Sequence, residues 1–279
     1  MKMTAFAYHR ANSVQDALRL HAAAGEGARY IAGGQSLLAA LSFRLDAPTA
    51  LVDIGRIAAL RGVEIVGDDV RIGALTRHAE VLTNPILAER LPLLTRAMQQ
   101  VAHPAIRNRG TFGGSVALAD PAAEIPACCL ALGARMCVTG PGGDREIAAD
   151  DFFLGLYETA LEPGDLLTRV DIPLPAKGTG FGFAELARRH GDYAMAGVAL
   201  AVGPARAWAR IAFFGVSDRA LRSPAAEAAL VAGEEPGVVA TRGLEIFGDL
   251  NAGEETKRHY AAVLLRRSLA DIDRKEAAA

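Results

Sequence analysis

The sequence is poor in cysteine, in aromatic side chains and in long apolar runs, and it carries no excess of either charge. Cys128, Cys129 and Cys137 are the only cysteines in 279 residues, and no Cys-x-x-Cys spacing occurs. That excludes a disulfide scaffold, a zinc ribbon and an iron–sulfur cluster held by this chain. Aromatic residues make up 6% against 51% hydrophobic overall, so the mean hydropathy of +0.19 reflects alanine and other small residues. The longest charge-free apolar stretch, around Ala194–Val202, is far shorter than the roughly 20 residues of a spanning helix, and no transmembrane segment is expected. Thirty Lys and Arg against 32 Asp and Glu leave a net charge of −2, with no footprint for nucleic acid or anionic lipid. Met1–Phe6 lacks the apolar core of a signal peptide, and a reducing, cytoplasmic setting is expected. Gly-x-Gly-x-x-Gly, the Walker A loop and a nucleophile elbow are all absent, and the histidines are scattered without metal-ligand spacing.

What is present suits two domains of roughly 140 residues each. A helix is expected over Ser13–Ala24 with Ser13 as N-cap, then a strand at Ala28–Ala32, a helix over Gln35–Leu45 and a strand at Ala50–Ile54. Gly62–Val66 and Val70–Ile72 alternate around Gly67-Asp68-Asp69 as a hairpin does. Helical stretches follow from Thr76 to Ala102, interrupted at Pro85 and Pro92. His103–Asp120 is Gly-rich and reads as irregular. A helix (Ala123–Leu132), a strand (Arg135–Thr139), a turn at Pro141–Asp144 and a strand (Leu166–Ile172) complete this half. Pro173–Gly178 reads as a linker. Beyond it three strands (Phe181–Arg188, Met195–Val202, Ala207–Val216) and three helices (Pro224–Ala232, Gly237–Phe247, Glu254–Asp271) predict an α+β second unit.

Two loops offer chemistry. Ala32-Gly33-Gly34-Gln35-Ser36 connects a strand to a helix, and its glycines let backbone approach a ligand, with free N–H groups facing an anion. The alternative is a simple tight turn. Ile106–Ser115 gathers three glycines, Thr111 and Ser115 in a segment without period, and Asp120 and Glu124 follow closely. A bound diphosphate would satisfy its backbone, and Glu124 would accept from ribose-type hydroxyls; alternatively it is a surface loop with Asp120 or Glu124 capping the next helix. Taken together, the two loops describe a cradle for an extended diphosphate nucleotide.

Arg29-Tyr30-Ile31-Ala32-Gly33-Gly34-Gln35-Ser36-Leu37-Leu38 and Ile106-Arg107-Asn108-Arg109-Gly110-Thr111-Phe112-Gly113-Gly114-Ser115 closely resemble the two FAD-diphosphate signatures of the medium, flavin-carrying subunit of molybdenum hydroxylases, the family of xanthine dehydrogenase and aerobic carbon monoxide dehydrogenase. Asp151–Gly155, Leu166–Pro173, Arg188–Ala194 and the last helix with Tyr260 and Arg266-Arg267 extend the likeness over nearly the whole chain. The resemblance implies an α+β fold: a two-lobed FAD domain of the vanillyl-alcohol-oxidase (PCMH) type over 1–175, with lobes of about 1–57 and 58–175, then a C-terminal domain over 178–279. It also implies non-covalent FAD, held at Ala32, Gly33, Gly34, Gln35, Ser36 and Leu37 and at Thr111, Gly114 and Ser115. Glu124 matches a ribose or adenosine contact, and Leu161 and Leu167 match backbone approaches to the flavin. Tyr193 matches an aromatic beside the ring, with a core tyrosine of the second sheet as its alternative. A large molybdopterin subunit, a small subunit with two-iron clusters, a dimer of heterotrimers and an external electron acceptor follow from the same likeness.

Phe112 replaces an aliphatic residue of the family pattern, Ser115 stands where Asn is frequent, and Glu185 stands where relatives of the carbon monoxide dehydrogenase type carry Lys. The four-Cys insertion of some members is absent. The expected role is an electron-transfer flavoprotein subunit. The rivals are a self-contained flavin oxidase or reductase of the same fold and a non-catalytic nucleotide-binding scaffold.

Overall fold

Strand β1 (Ala7–Arg10) gives way to helix α1 (Val14–Ala24) at Ser13, whose hydroxyl accepts the N–H of Asp16 at 3.0 Å, the expected N-cap. The computed structural model describes residues 3–276; Met1, Lys2 and the last three residues of the expected 178–279 unit lie outside the described residues. Strand β2 (Ala28–Ile31), helix α2 (Leu37–Ser42) and strand β3 (Ala50–Asp53) follow. β1 and β2 flank β3 in a parallel sheet, and Ala17, Val52, Ile54 and Ile57 form a small core beside it. Helix α2 is shorter than the expected Gln35–Leu45, because residues 33–36 are spent on the turn and Arg44 leaves helical space at φ 59°.

Strands β4 (Val63–Val66) and β5 (Asp69–Gly73) form the expected hairpin. Helices α3 (His78–Thr83), α4 (Pro85–Arg90), α5 (Pro92–Gln100), α6 (Pro104–Arg107), α7 (Phe112–Leu118) and α8 (Glu124–Leu132) then follow without a strand between them. Pro85, Pro92 and Pro104 each open a helix, where a missing N–H costs nothing. The expectation of an irregular His103–Asp120 is therefore corrected: glycines concealed two helices. Gly113 is there because α7 begins hard against β5's continuation, and a Cβ at 113 would stand 2.5 Å from the Cβ of Ala74.

Strands β6 (Arg135–Gly140) and β7 (Gly143–Ala148), helix α9 (Ala149–Phe152), a small hairpin of β8 (Phe153–Gly155) and β9 (Glu158–Thr159), and strand β10 (Leu166–Pro173) complete this part. The sheet runs β4-β5-β10-β6-β7, antiparallel throughout. Val70, Ile72, Met136, Val138, Val170 and Ile172 point into the main core. The other face is charged, with Arg71 and Arg169 on Asp171 and Arg135 on Asp69. There Cys137, Glu146 and Asp171 bring ligand atoms within 4.8 Å of one another, a grouping invisible in the sequence spacing. Arg71, Arg135 and Arg169 already compensate its carboxylates, so guanidinium stands where a cation would.

The last sheet has four strands rather than three: β11 (Gly180–Ala187), β12 (Ala194–Val202), β13 (Ala209–Phe214) and the short β14 (Leu221–Arg222), all antiparallel. Helices α10 (Pro224–Val231) and α11 (Glu254–Glu276) follow. The expected helix over Gly237–Phe247 is corrected to a single 3-10 turn at Pro236–Val239; Gly243 sits at φ 76°, outside helical space, and the chain there is irregular. Of its apolar residues Ile246 is buried but Val238 is 73% exposed, so no continuous helical stripe is satisfied.

Helix α8 is apolar on every side and every residue of it is buried, as the adjacent Cys128 and Cys129 suggest. It lies between the five-stranded sheet and the C-terminal sheet, whose Ala199, Ala201, Ala212 and Phe214 share its core. The opposite face of that sheet, with Val198, Leu200, Ile211 and Phe213, packs on Leu264 and Leu265 of α11. Gly197 pairs with Phe214 across β12 and β13, and a Cβ there would stand 2.0 Å from the phenyl Cζ. Gly197→Ala is expected to displace the ring and lower the unfolding free energy by about 1–3 kcal/mol in urea titration. An unchanged midpoint would show that the ring moves aside freely.

Candidate functional site

The two loops singled out in the sequence meet. A Cβ on Gly33 would stand 2.2 Å from the carbonyl oxygen of Arg109 and 2.9 Å from the Cα of Gly110, so backbone lies on backbone. The second loop is held from beneath by a short antiparallel pairing with the segment after β5: Phe112 N–H donates to Thr76 O (2.8 Å), His78 N–H to Gly110 O (3.0 Å), and Arg77 bridges Thr111. The His78 ring Nε2 lies 2.9 Å from the Thr111 carbonyl. Burial pushes the pKa of His78 down to about 4, so the ring is neutral and Nε2 carries the proton toward that oxygen. Nothing in the scattered histidines of the sequence marked His78 as the support of this loop.

The loops contribute different donors. Among the described residues the N–H groups of Gly34, Gln35, Ser36 and Leu37 make no hydrogen bond, while the Gln35 amide closes on Gly33 O at 3.0 Å. Gly34 takes φ 70°, a left-handed conformation that suits glycine, and its missing Cβ would meet Ile31 and Leu38 rather than open space. With α2 only six residues long, the turn's own amides rather than a long helix dipole make this an anion cradle. In the second loop most amides are already used: Gly113 N–H on Ala74 O, Gly114 N–H on Thr111 Oγ1, Ser115 N–H on Thr111 O, whereas Thr111 N–H makes no hydrogen bond among the described residues. The expectation that this backbone awaits a partner is corrected for Gly113, Gly114 and Ser115. What it offers is the Thr111 and Ser115 hydroxyl protons, beside an exposed Gly114. Unpaired amides in one loop, and two hydroxyls in the loop that it touches at Gly33, fit a dinucleotide diphosphate.

The remaining expected residues surround α7. Leu161 lies between β9 and β10, its N–H directed at Thr159 Oγ1, and Leu167 is buried at the bulge in β10; both strands pack on α7. Beyond α7 lies an acidic rim. Glu124 opens α8 and is 9% exposed. Burial, with the charges of Glu185 and Asp120 added, pushes its pKa up to about 8, overcoming the hydrogen bond from its own N–H. Burial alone takes Glu185 to about 7, and its Oε2 has no hydrogen-bond partner among the described residues. Asp120 accepts Ala122 N–H at 2.9 Å and the Tyr157 hydroxyl at 3.4 Å. Tyr193 is 71% exposed, not a core tyrosine, and its phenol is raised by burial and by Asp120 and Glu124 nearby. Tyr157, at the tip of the β8–β9 hairpin with φ 55°, was not anticipated; its signal is tertiary.

At neutral pH Glu124 is protonated, and its carboxyl both donates and accepts, which suits a hydroxyl-rich ligand. The fold therefore binds a proton that the unfolded chain releases near 4.5, so stability falls as pH rises from there toward about 8. Glu124→Gln is expected to flatten that decline, measured as denaturation midpoints at pH 5 and pH 8. An undiminished decline in the variant would mean that Glu124 ionises freely.

Comparison with known proteins identifies the family. Residues 4–175 match the family described as the FAD binding domain in molybdopterin dehydrogenase. The chain is 42% identical over 235 residues to the 6-hydroxypseudooxynicotine dehydrogenase complex subunit alpha of Paenarthrobacter nicotinovorans, covering 83% of this chain and 79% of that one. It is 36% identical over 281 residues to the nicotine 6-hydroxylase medium subunit of the same organism, covering 97% and 98%. The structure matches a chain of the Hydrogenophaga pseudoflava carbon monoxide dehydrogenase that lacks the Mo-pyranopterin moiety of its cofactor, with TM-score 0.93, 37% identity and 98% of each chain covered. With the family model matched over residues 4–175 and the fold shared over 98% of the chain, this chain belongs to the FAD-binding medium subunits of the molybdopterin dehydrogenases, an oxidoreductase family.

Proposed function

We propose that this chain is the flavin-carrying electron-transfer subunit of a molybdenum-dependent hydroxylase, taking electrons from a small iron–sulfur subunit and passing them to an external acceptor. The observation that carries this reading is the contact of Gly33 with Arg109, which joins four unpaired amides to two hydroxyls in one cradle. When bound there, FAD supplies the exchange between single-electron donors and a two-electron acceptor. The protein's share is to hold and expose it. Residues 32–37 and Thr111, Gly114 and Ser115 would hold the diphosphate, the neutral carboxyl of Glu124 a sugar hydroxyl, and the backbone at Leu161 and Leu167 the ring system with Tyr193 beside it. The proposed division is an FAD domain over 1–175, with lobes of 1–57 and 58–175, and a C-terminal domain over 178–279.

The proposed assembly is a dimer of heterotrimers with a large molybdopterin subunit and the small iron–sulfur subunit. The unpaired Cys128, Cys129 and Cys137 support a cytoplasmic location. No helix among the described residues is long and apolar enough to cross a membrane.

The purified chain is expected to carry FAD that acid or heat releases into solution, with no iron or molybdenum. Stoichiometric iron in a monomeric sample would overturn this division of labour. Gly33→Ala sets a methyl group against the Arg109 carbonyl and should part the loops, giving a chain with native circular dichroism but without flavin. Retained flavin in that folded variant would remove the cradle's physical basis.

A further inference from the structure

His78 grips the second loop with two donors. Its backbone N–H donates to the Gly110 carbonyl at 3.0 Å and its ring Nε2–H to the Thr111 carbonyl at 2.9 Å. Consecutive carbonyls are thus tied to one residue, and with them both peptide planes that flank Thr111. The same stretch meets the first loop, since a Cβ on Gly33 would stand 2.9 Å from the Gly110 Cα. The second ring nitrogen, Nδ1, is buried and has no hydrogen-bond partner among the described residues. It faces Gly110, where a Cβ would stand 3.1 Å from it. A neutral ring loses little by this, because Nδ1 is then only an unused acceptor. A protonated ring would bury a second N–H, and its charge, against carbon.

The charged groups around the ring offer that charge no compensation. Burial first, and then the charge of Arg107 on α6, hold the pKa down at about 4 against the hydrogen bond to Thr111. Arg109 in the loop is also positive. On the same helix Glu80 accepts the Arg77 N–H, and the Arg77 guanidinium donates to the Asn108 carbonyl. Arg96 on α5 donates to the Phe181 carbonyl, and Glu89 and Arg90 on α4 pair with each other.

We propose that His78 is a positioning residue for the bound nucleotide, a latch whose neutral ring keeps the second loop closed on the first and whose protonation lets the loops part. The assignment rests on the flavin reading above. With the loops parted, the ring meets water and regains the ordinary histidine pKa of 6.5. The closed form then binds the proton less readily than the open one. Closure is therefore at full strength above pH 6.5 and is lost progressively as pH falls from 6.5 toward about 4. Escape of the nucleotide follows the parting of the loops, slow at neutral pH and faster in mild acid.

The test follows the rate at which FAD leaves the full chain, read as the rise in flavin fluorescence after dilution. Release from the wild type should accelerate about ten- to thirtyfold between pH 7 and pH 5, as the two pKa values require. His78→Gln, whose amide donates at similar reach and does not titrate, should release at a rate that pH leaves unchanged over this range. His78→Phe, with no ring donor for the Thr111 carbonyl, should release fast at both pH values. His259→Gln, which removes an exposed ring from α11, should keep the wild-type acceleration. In the wild-type chain itself, nitrogen NMR should find the His78 ring neutral at pH 6, with its proton on Nε2. A wild-type rate indifferent to pH, an equal acceleration in His78→Gln, or a His78 ring that titrates at 6.5 overturns the latch while leaving the flavin reading intact. A wild-type chain that binds no FAD overturns both.

Discussion

The site depends on one contact, that of Gly33 with the Arg109 carbonyl. The first loop ends a strand of the small parallel sheet, and the second leads into a helix packed on the five-stranded sheet. Any side chain at position 33 would hold the two apart, and would separate the unpaired amides of one loop from the hydroxyls of the other. The scaffold keeps the contact in place by satisfying most of the second loop's backbone, through His78, Thr76 and Ala74. It leaves the first loop unsatisfied. Rigidity on one side and free donors on the other are what preorganised recognition of an anion requires.

Helix α8 links this cradle to the rest of the molecule. Its all-round apolar surface is buried between two sheets, and that burial fixes where its first residue, Glu124, emerges. The same burial decides the ionisation of Glu124. A carboxylate at a helix N-terminus is ordinarily favoured, but here desolvation and the neighbouring acids win. The rim is thus partly uncharged at neutral pH, while the outer face of the five-stranded sheet, with its arginine–carboxylate network, stays ionic and open to water.

None of the groups at the cradle is arranged as a strong acid–base catalyst on an organic substrate. His78 is neutral, buried and bonded to a carbonyl; the buried cysteines have pKa values pushed far up. A protein whose task is to hold a cofactor and pass electrons needs no more.

The sequence alone determined the elements whose signals are local. Ser13 caps α1, the prolines open α4 and α5, alternation marks the β4–β5 hairpin, and the all-apolar run of α8 reads as buried. The two loops and most of the cradle were legible for the same reason, since glycine, hydroxyl and strand-to-helix position are written in consecutive residues. Tertiary structure decided the rest. Helix α7 was hidden because Gly113 answers to Ala74, and Gly114 to Thr111, rather than to local propensity. Strand β14 has two residues and exists only by pairing with β13. The helix expected after Pro236 fails because Gly243 leaves helical space and its apolar residues find no common face. The supports and rim of the site, His78, Tyr157, Asp120 and Glu185, come from segments far apart in the chain. Their roles follow from burial and from one another's charges, and both quantities come into being only when the chain folds.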